Sequence, residues 1–139
     1  MLDSLKPGIT HQLRYRVPLN RTVPHLLPES EEFSRMPSVL ATGYMVGLIE
    51  WACIQAVNPH LDWPREQTVG TGIDVSHVAA TPSGMEVIIS VRLVAVEGRK
   101  LSFEIEARDE RDVISTGKHA RFVIDAEKFN SRVAAKAGA

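Results

Sequence analysis

Apolar residues recur along the chain with two distinct periods, and the switch between them divides the sequence into elements. Residues 9–17, "ITHQLRYRV", alternate apolar and polar positions through Ile9, Leu13, Tyr15 and Val17, which predicts a first strand ended by Pro18. Residues 18–39 have no period; four prolines and an acidic patch at Glu29, Glu31 and Glu32 mark an irregular connection, with one helical turn around Glu31–Arg35. Connections of this length are uncommon unless they serve as lids or binding loops. Phe33 and Met36 are apolar at helical spacing in this polar stretch, so they are expected to cover something.

"LATGYMVGLIEWACIQAV" then predicts a long helix from about Leu40 to Asn58, stopped by Pro59 and apolar almost all round. Tyr44, Trp51 and Gln55 share one stripe, and Gly43, Gly47 and Glu50 another. Each interior glycine costs about 1 kcal/mol against alanine. Two glycines above a carboxylate fit a helix pressed on a sheet, or a ligand brought close to the backbone.

After "LDWPREQTVG" the period drops to 2. Ile73, Val75, His77 and Ala79 share a face of the next predicted strand. Met85, Val87, Ile89, Val91, Leu93 and Ala95 line another, and Leu101, Phe103, Ile105 and Ala107 a third. "VISTGKHARFVI" is the last, and "TPSG", "EGRK" and "DERD" are the turns. Four strands in an antiparallel meander are therefore expected, with a polar tail, "DAEKFNSRVAAKAGA", read as a helical turn or frayed end. A helix this apolar must be wrapped by the sheet, which gives an α+β hot-dog architecture over residues 1–139, with residues 29–38 as a lid. Pairing of sheet edges in a homodimer would cover an exposed edge strand.

Bulk composition adds exclusions. The 139 residues suit one domain, and 44% hydrophobic with 24% charged residues is ordinary for a globular protein. A net charge of -1 offers no overall field for nucleic acid or an anionic membrane. The single cysteine, Cys53, excludes an intrachain disulfide and reads as a core thiol. "MLDSLKPGITHQ" lacks the pattern of a signal peptide, and no run reaches the roughly 18 apolar residues of a membrane span. A cytoplasmic enzyme or binding protein is expected.

The candidate chemistry narrows by elimination. "VGTGIDV" runs into a strand and lacks the third glycine of a dinucleotide fingerprint, and His119 follows Gly117-Lys118, so no Walker motif exists. The five histidines show no metal-ligand spacing, so neither a metal nor a separate cofactor is expected. What remains is Glu50 in the helix and His77 on the core face of a strand. A lone histidine on an apolar face is more often a hydrogen-bonded core residue, but a carboxylate nearby suggests an oriented general base. Thr42 stands at or near the helix start, where it either caps the helix or presents a hydroxyl to a reacting carbonyl beside the free N–H groups and positive dipole end.

"TVPHLLPES", "ATGYMVGLIEWAC", "VSHVAATPSG", "VEGRKLSFEIEARDE" and "EKFN" together resemble the fluoroacetyl-CoA thioesterase family of hot-dog proteins, in the right order over most of the chain. The resemblance implies a dimeric acyl-CoA thioesterase whose Thr/Glu/His set falls on Thr42, Glu50 and His77. CoA is then part of the substrate. It also implies that Gly70 lies near the acyl group and that Phe33 belongs to an aromatic lid. Met36 departs from the phenylalanine of that lid, which leaves the choice between fluoroacetyl and acetyl open. Arg121, Lys118, Arg99 and Lys100 are candidate surface cations for the CoA phosphates, with Arg121 favoured. A hot-dog enoyl-CoA hydratase or dehydratase, and a non-catalytic acyl-CoA-binding protein, are the competing readings.

Overall fold

Five of the period-2 segments pair into one antiparallel sheet in the computed structural model, which describes residues 1–138. The strands are β1 (Thr10–Arg16), β2 (Glu66–Val75), β3 (Glu86–Glu97), β4 (Lys100–Arg108) and β5 (Val113–Asp125). Their spatial order is β1-β3-β4-β5-β2. The expected meander therefore holds for β3, β4 and β5 only; β2 crosses to the far edge and pairs with β5. No local sequence signal separates these arrangements, because both bury the same faces.

The irregular connection contains a one-turn helix α1 (Glu31–Ser34), and the long apolar helix is α2 (Thr42–Val57), continued by a 3-10 turn over Asn58–His60 at the proline. The polar tail is more regular than expected. Its helix α3 (Ala126–Lys136) starts where the Asp125 side chain accepts from the Lys128 amide, an N-cap that satisfies one free N–H.

Helix α2 lies across the sheet, chiefly over β1 and β3. Its Met45, Ile49, Ala52, Cys53 and Val57 are fully buried against Val87, Ile89 and Leu93 of β3 and Leu101 and Phe103 of β4. Burying each large side chain contributes about 1.5–3 kcal/mol, so this seam supplies most of the force that curls the sheet around the helix. This is the hot-dog architecture that the pattern of apolar positions implies.

Two strands change the phase of their alternation at bulges. On β3 the register shifts between Leu93 and Ala95. On β2 it shifts between Gly70 and Gly72, leaving Thr71 unpaired across from β5. A one-residue slip moves every later side chain to the other face. Ile73 keeps the expected inner face, opposite the buried His119, and is 44% exposed because β2 is an edge strand. β2 also begins earlier than expected, at Glu66, and ends before His77.

Candidate functional site

Thr42 is the first residue of α2, but it does not cap the helix. The N-cap is Ala41, in extended conformation and without a side-chain capping bond. Its backbone is pinned from outside, since Leu40 N–H donates to Thr81 O and Ala41 N–H to Arg21 O. The Thr42 hydroxyl is thereby left for another partner, and its Oγ1 lies 2.7 Å from His77 Nδ1.

His77 follows the end of β2, yet its position is fixed almost as in a strand. Ser76 N–H donates to Thr116 O at 3.0 Å and Val78 N–H to Ile114 O at 2.8 Å, so β5 holds the chain on both sides of it. Burial pushes its imidazolium below the ordinary histidine value, and the ring is neutral at pH 7. Its Nε2 is buried without a hydrogen-bond partner among the described residues. In the tautomer with hydrogen on Nε2, Nδ1 accepts the Thr42 hydroxyl proton, the arrangement of a nucleophile and its base. The first turn of α2 adds unpaired amides and the positive end of its dipole beside that hydroxyl.

Glu50 lies eight residues further along α2, about 12 Å of helix axis from Thr42. Here the sequence reading needs correction, because Glu50 does not contact His77. Its Oε1 accepts from Arg121 Nη1 at 3.1 Å. Arg121, expected as a surface cation for CoA phosphates, is 3% exposed on the inner face of β5. Its Nε donates to Thr68 Oγ1 and its Nη2 to Thr68 O, both at 2.8 Å. Burial pulls the guanidinium below its usual pKa, opposed by the Glu50 charge, and an arginine stays protonated throughout this range. A buried cation is costly unless paired, which explains why the carboxylate stands where it does.

Gly70 completes this cluster. A Cβ on it would stand 2.6 Å from Glu50 Oε1 and 3.5 Å from Arg121 Nη1, so a side chain here would push the carboxylate from its place. Cys53 is the core thiol expected; burial pushes its pKa up to about 12, and it is not a nucleophile.

The sequence reading missed His119 and Thr68. His119 is buried beside Arg121, with Nε2 3.1 Å from Arg121 Nη1 and Nδ1 2.6 Å from Gly72 O. Its signal was present: His119 and Arg121 share with Val123 the face of β5 that alternation turns inward.

The lid residues lie on and just after α1. Ser30 caps α1 by accepting from Phe33 N–H, Phe33 is half-buried, and Met36 is 48% exposed. Lys100 and Lys118 line an open groove of about 540 Å³ beside Gly72–Asp74, whereas Arg99 reaches back to Val123 O. Among the described residues no cluster of three or more His, Cys, Asp or Glu could hold a metal ion.

Comparison with known proteins gives a consistent picture. Residues 24–127 match the family of the fluoroacetyl-CoA-specific thioesterase. The fluoroacetyl-CoA thioesterase of Streptantibioticus cattleyicolor is 48% identical over 98% of this chain and 97% of its own. A crystal structure of the fluoroacetyl-CoA thioesterase superposes with a TM-score of 0.93 at 48% identity, covering 96% of this chain and 98% of that one. A mutant of that enzyme, in complex with fluoroacetate and CoA, gives 0.87 at 48% identity over 90% and 99%.

Proposed function

The chain belongs to the fluoroacetyl-CoA-specific thioesterase family, and from that premise we propose that it hydrolyses a small acyl-CoA, fluoroacetyl-CoA among the candidates, to the free acid and CoA. The observation that carries the residue assignment is the 2.7 Å contact between Thr42 Oγ1 and His77 Nδ1 at the start of α2. Neutral His77 takes the hydroxyl proton as Thr42 attacks the thioester carbonyl, and the helix N-terminus faces the oxyanion that develops. The C–S bond breaks, CoA leaves with the proton returned by His77, and the acyl group rests on Thr42. Water, deprotonated by His77, then attacks the acyl carbonyl; the acyl–Oγ1 bond breaks, His77 returns the proton to Thr42, and the acid leaves.

Glu50, about 12 Å along α2 from Thr42, and Arg121, bound to it from β5, stand too far away to act on the same thioester from the same chain. Hence we propose a homodimer in which one protomer supplies Thr42 and His77, and its partner supplies Glu50, Arg121 and Gly70 to the acyl end. The exposed outer edge of β2 supports this reading. Ile73 on it is 44% exposed and Val78, three residues past its end, 71%, and strand addition would cover both the apolar side chains and the open edge. In this reading Phe33 and Met36, within the lid 29–38, close the acyl pocket, and Lys100 and Lys118 replace Arg121 as the cations for CoA phosphates. The chain acts as one hot-dog domain. The described helices include none long and apolar enough to cross a membrane, and a CoA ester as substrate suits the cytoplasm.

The hydratase and sensor readings weighed from the sequence have no observation here that favours them. Thiol release measured across acetyl-, fluoroacetyl-, propionyl- and aryl-CoA tests the proposal directly. Chemical quench within a single turnover should trap an acyl group on Thr42. Near-normal turnover in both Thr42→Ala and His77→Ala on every ester would overturn the assignment.

A further inference from the structure

The cluster behind Glu50 contains one member that the mechanism does not use. His119 sits on the inner face of β5, buried, two residues before Arg121 and stacked on Phe103 of β4 with ring centroids 6.4 Å apart. Both of its ring nitrogens are engaged. Gly72 O can only accept, so the 2.6 Å contact assigns the proton to Nδ1. Nε2 then carries the lone pair, and Arg121 Nη1 donates to it at 3.1 Å.

We propose that His119 is a positioning residue, a neutral acceptor that holds the Arg121 guanidinium in the orientation from which Nη1 also reaches Glu50. This rests on the assignment of Glu50 and Arg121 to the acyl end of the site. The geometry over-determines the orientation. Nε and Nη2 are tied to Thr68 on β2, while the two protons of Nη1 go to His119 and Glu50. A planar guanidinium gripped in three directions does not rotate, and a carboxylate paired with a fixed donor does not wander. The chain of bonds begins at the carbonyl of Gly72, directly after the bulge at Thr71, so the irregularity of β2 is transmitted to Glu50 through His119.

An apolar side chain of similar size would fill the same space and support the fold. It would not supply an acceptor. Nor would an imidazolium, which would set a second cation against Arg121 and take away the lone pair. The groups that face the ring are Arg121 on its own strand, Glu50 on α2, Gly72 O on β2 and the Phe103 ring on β4. Of these, burial and Arg121 disfavour the imidazolium, while Gly72 O and Glu50 favour it, and the balance lies below the ordinary value.

Three variants separate an acceptor from a filler. His119→Gln can place Oε1 where Nε2 was, His119→Asn can place only an amide where Nδ1 was, and His119→Leu supplies bulk alone. Against the best acyl-CoA, Asn and Leu are expected to lower kcat about 10- to 100-fold with KM little changed, and Gln to recover most of the loss. The acid limb of the kcat profile that His119 contributes disappears in His119→Gln. Nitrogen NMR of the unliganded protein, independent of turnover, is expected to find His119 protonated on Nδ1 alone at pH 7. Equal activity of Gln, Asn and Leu, or a proton on Nε2, overturns the proposal. Failure of the thioesterase assignment would be distinct, since the wild type would then release no thiol while the NMR signature persisted.

Discussion

Gly70 and the Glu50 carboxylate face each other so closely that one added carbon on Gly70 would come within 2.6 Å of Oε1. The β2 edge and α2 thus meet across a glycine, and the carboxylate occupies the space that a side chain would have filled. Gly70→Ala is expected to push Oε1 away from Arg121 and reduce kcat/KM by about 10-fold or more. The displaced atom is the end of a flexible side chain, so the melting temperature should barely move. Gly72→Ala is the control, because its Cβ would meet only the Ala120 methyl at an ordinary 3.7 Å. If both variants lose activity equally in steady-state assays, close approach to Glu50 is not what Gly70 provides.

Mixing two inactive variants tests which protomer supplies what. In a heterodimer of Thr42→Ala and Glu50→Gln chains, a site shared between protomers would be intact at one end and doubly altered at the other. Random reassociation should recover about a quarter of wild-type turnover per chain, since half the dimers are mixed and half their sites intact. No recovery would mean that Thr42 and Glu50 serve the same site from one chain.

The pH dependence follows from two buried histidines. Burial places the folded-state pKa of both His77 and His119 below the ordinary value. The unfolded chain therefore binds more protons just below pH 6.5 than the folded one. The stability contributed by these groups is present above about pH 6.5 and is lost as pH falls through their folded-state values. Thermal melts should accordingly decline in that acid window, with a shallower slope in His119→Gln. For catalysis, His77 must be neutral to accept a proton. Its acid limb in kcat/KM should turn below 6.5, and a limb centred clearly above that value would argue against His77 as the base.

Gly117 makes the β2–β5 pairing possible. It has φ +151°, and a Cβ there would stand 2.1 Å from Asp74 O, an immovable backbone atom. Gly117→Ala should destabilise the fold by roughly 2 kcal/mol or more, read as a lower urea midpoint, because β2 must move away from β5. Activity is expected to fall with it, since Asp74 precedes His77 by only three residues. A variant with an unchanged midpoint would show that β2 tolerates the shift.

What could be read from the sequence follows the range of the forces involved. Helix α2 and strands β3 and β4 were legible because their burial patterns are local: Met45, Ile49, Ala52 and Cys53 declare a helix, and Leu101, Phe103, Ile105 and Ala107 a strand. Thr42, Glu50 and His77 stood out as polar groups beside apolar neighbours. The partner of each did not. Whether Glu50 meets His77 or Arg121 depends on β2 crossing to pair with β5, and that pairing leaves no mark on either segment. Arg121 was assigned to the surface because arginine usually lies there, although alternation with Val123 already pointed it inward. The bulge at Thr71 left no mark either: it switches the inner face from Thr68 and Gly70 to Ile73, and the exposure of Ile73 comes from its place on an edge strand.

The spacing between Thr42 and Glu50 gives α2 the character of a ruler. Because 3.6 residues make a turn, inserting a single residue between them would swing the carboxylate about 100° around the helix axis and carry it about 1.5 Å further along. It would then miss both Gly70 and the Arg121 fork, while the apolar seam beyond it lost its own phase with the sheet. Chain length within this one helix is therefore under tighter constraint than the identity of most residues on it. The same stretch that buries the core also measures the distance between the two groups of polar residues.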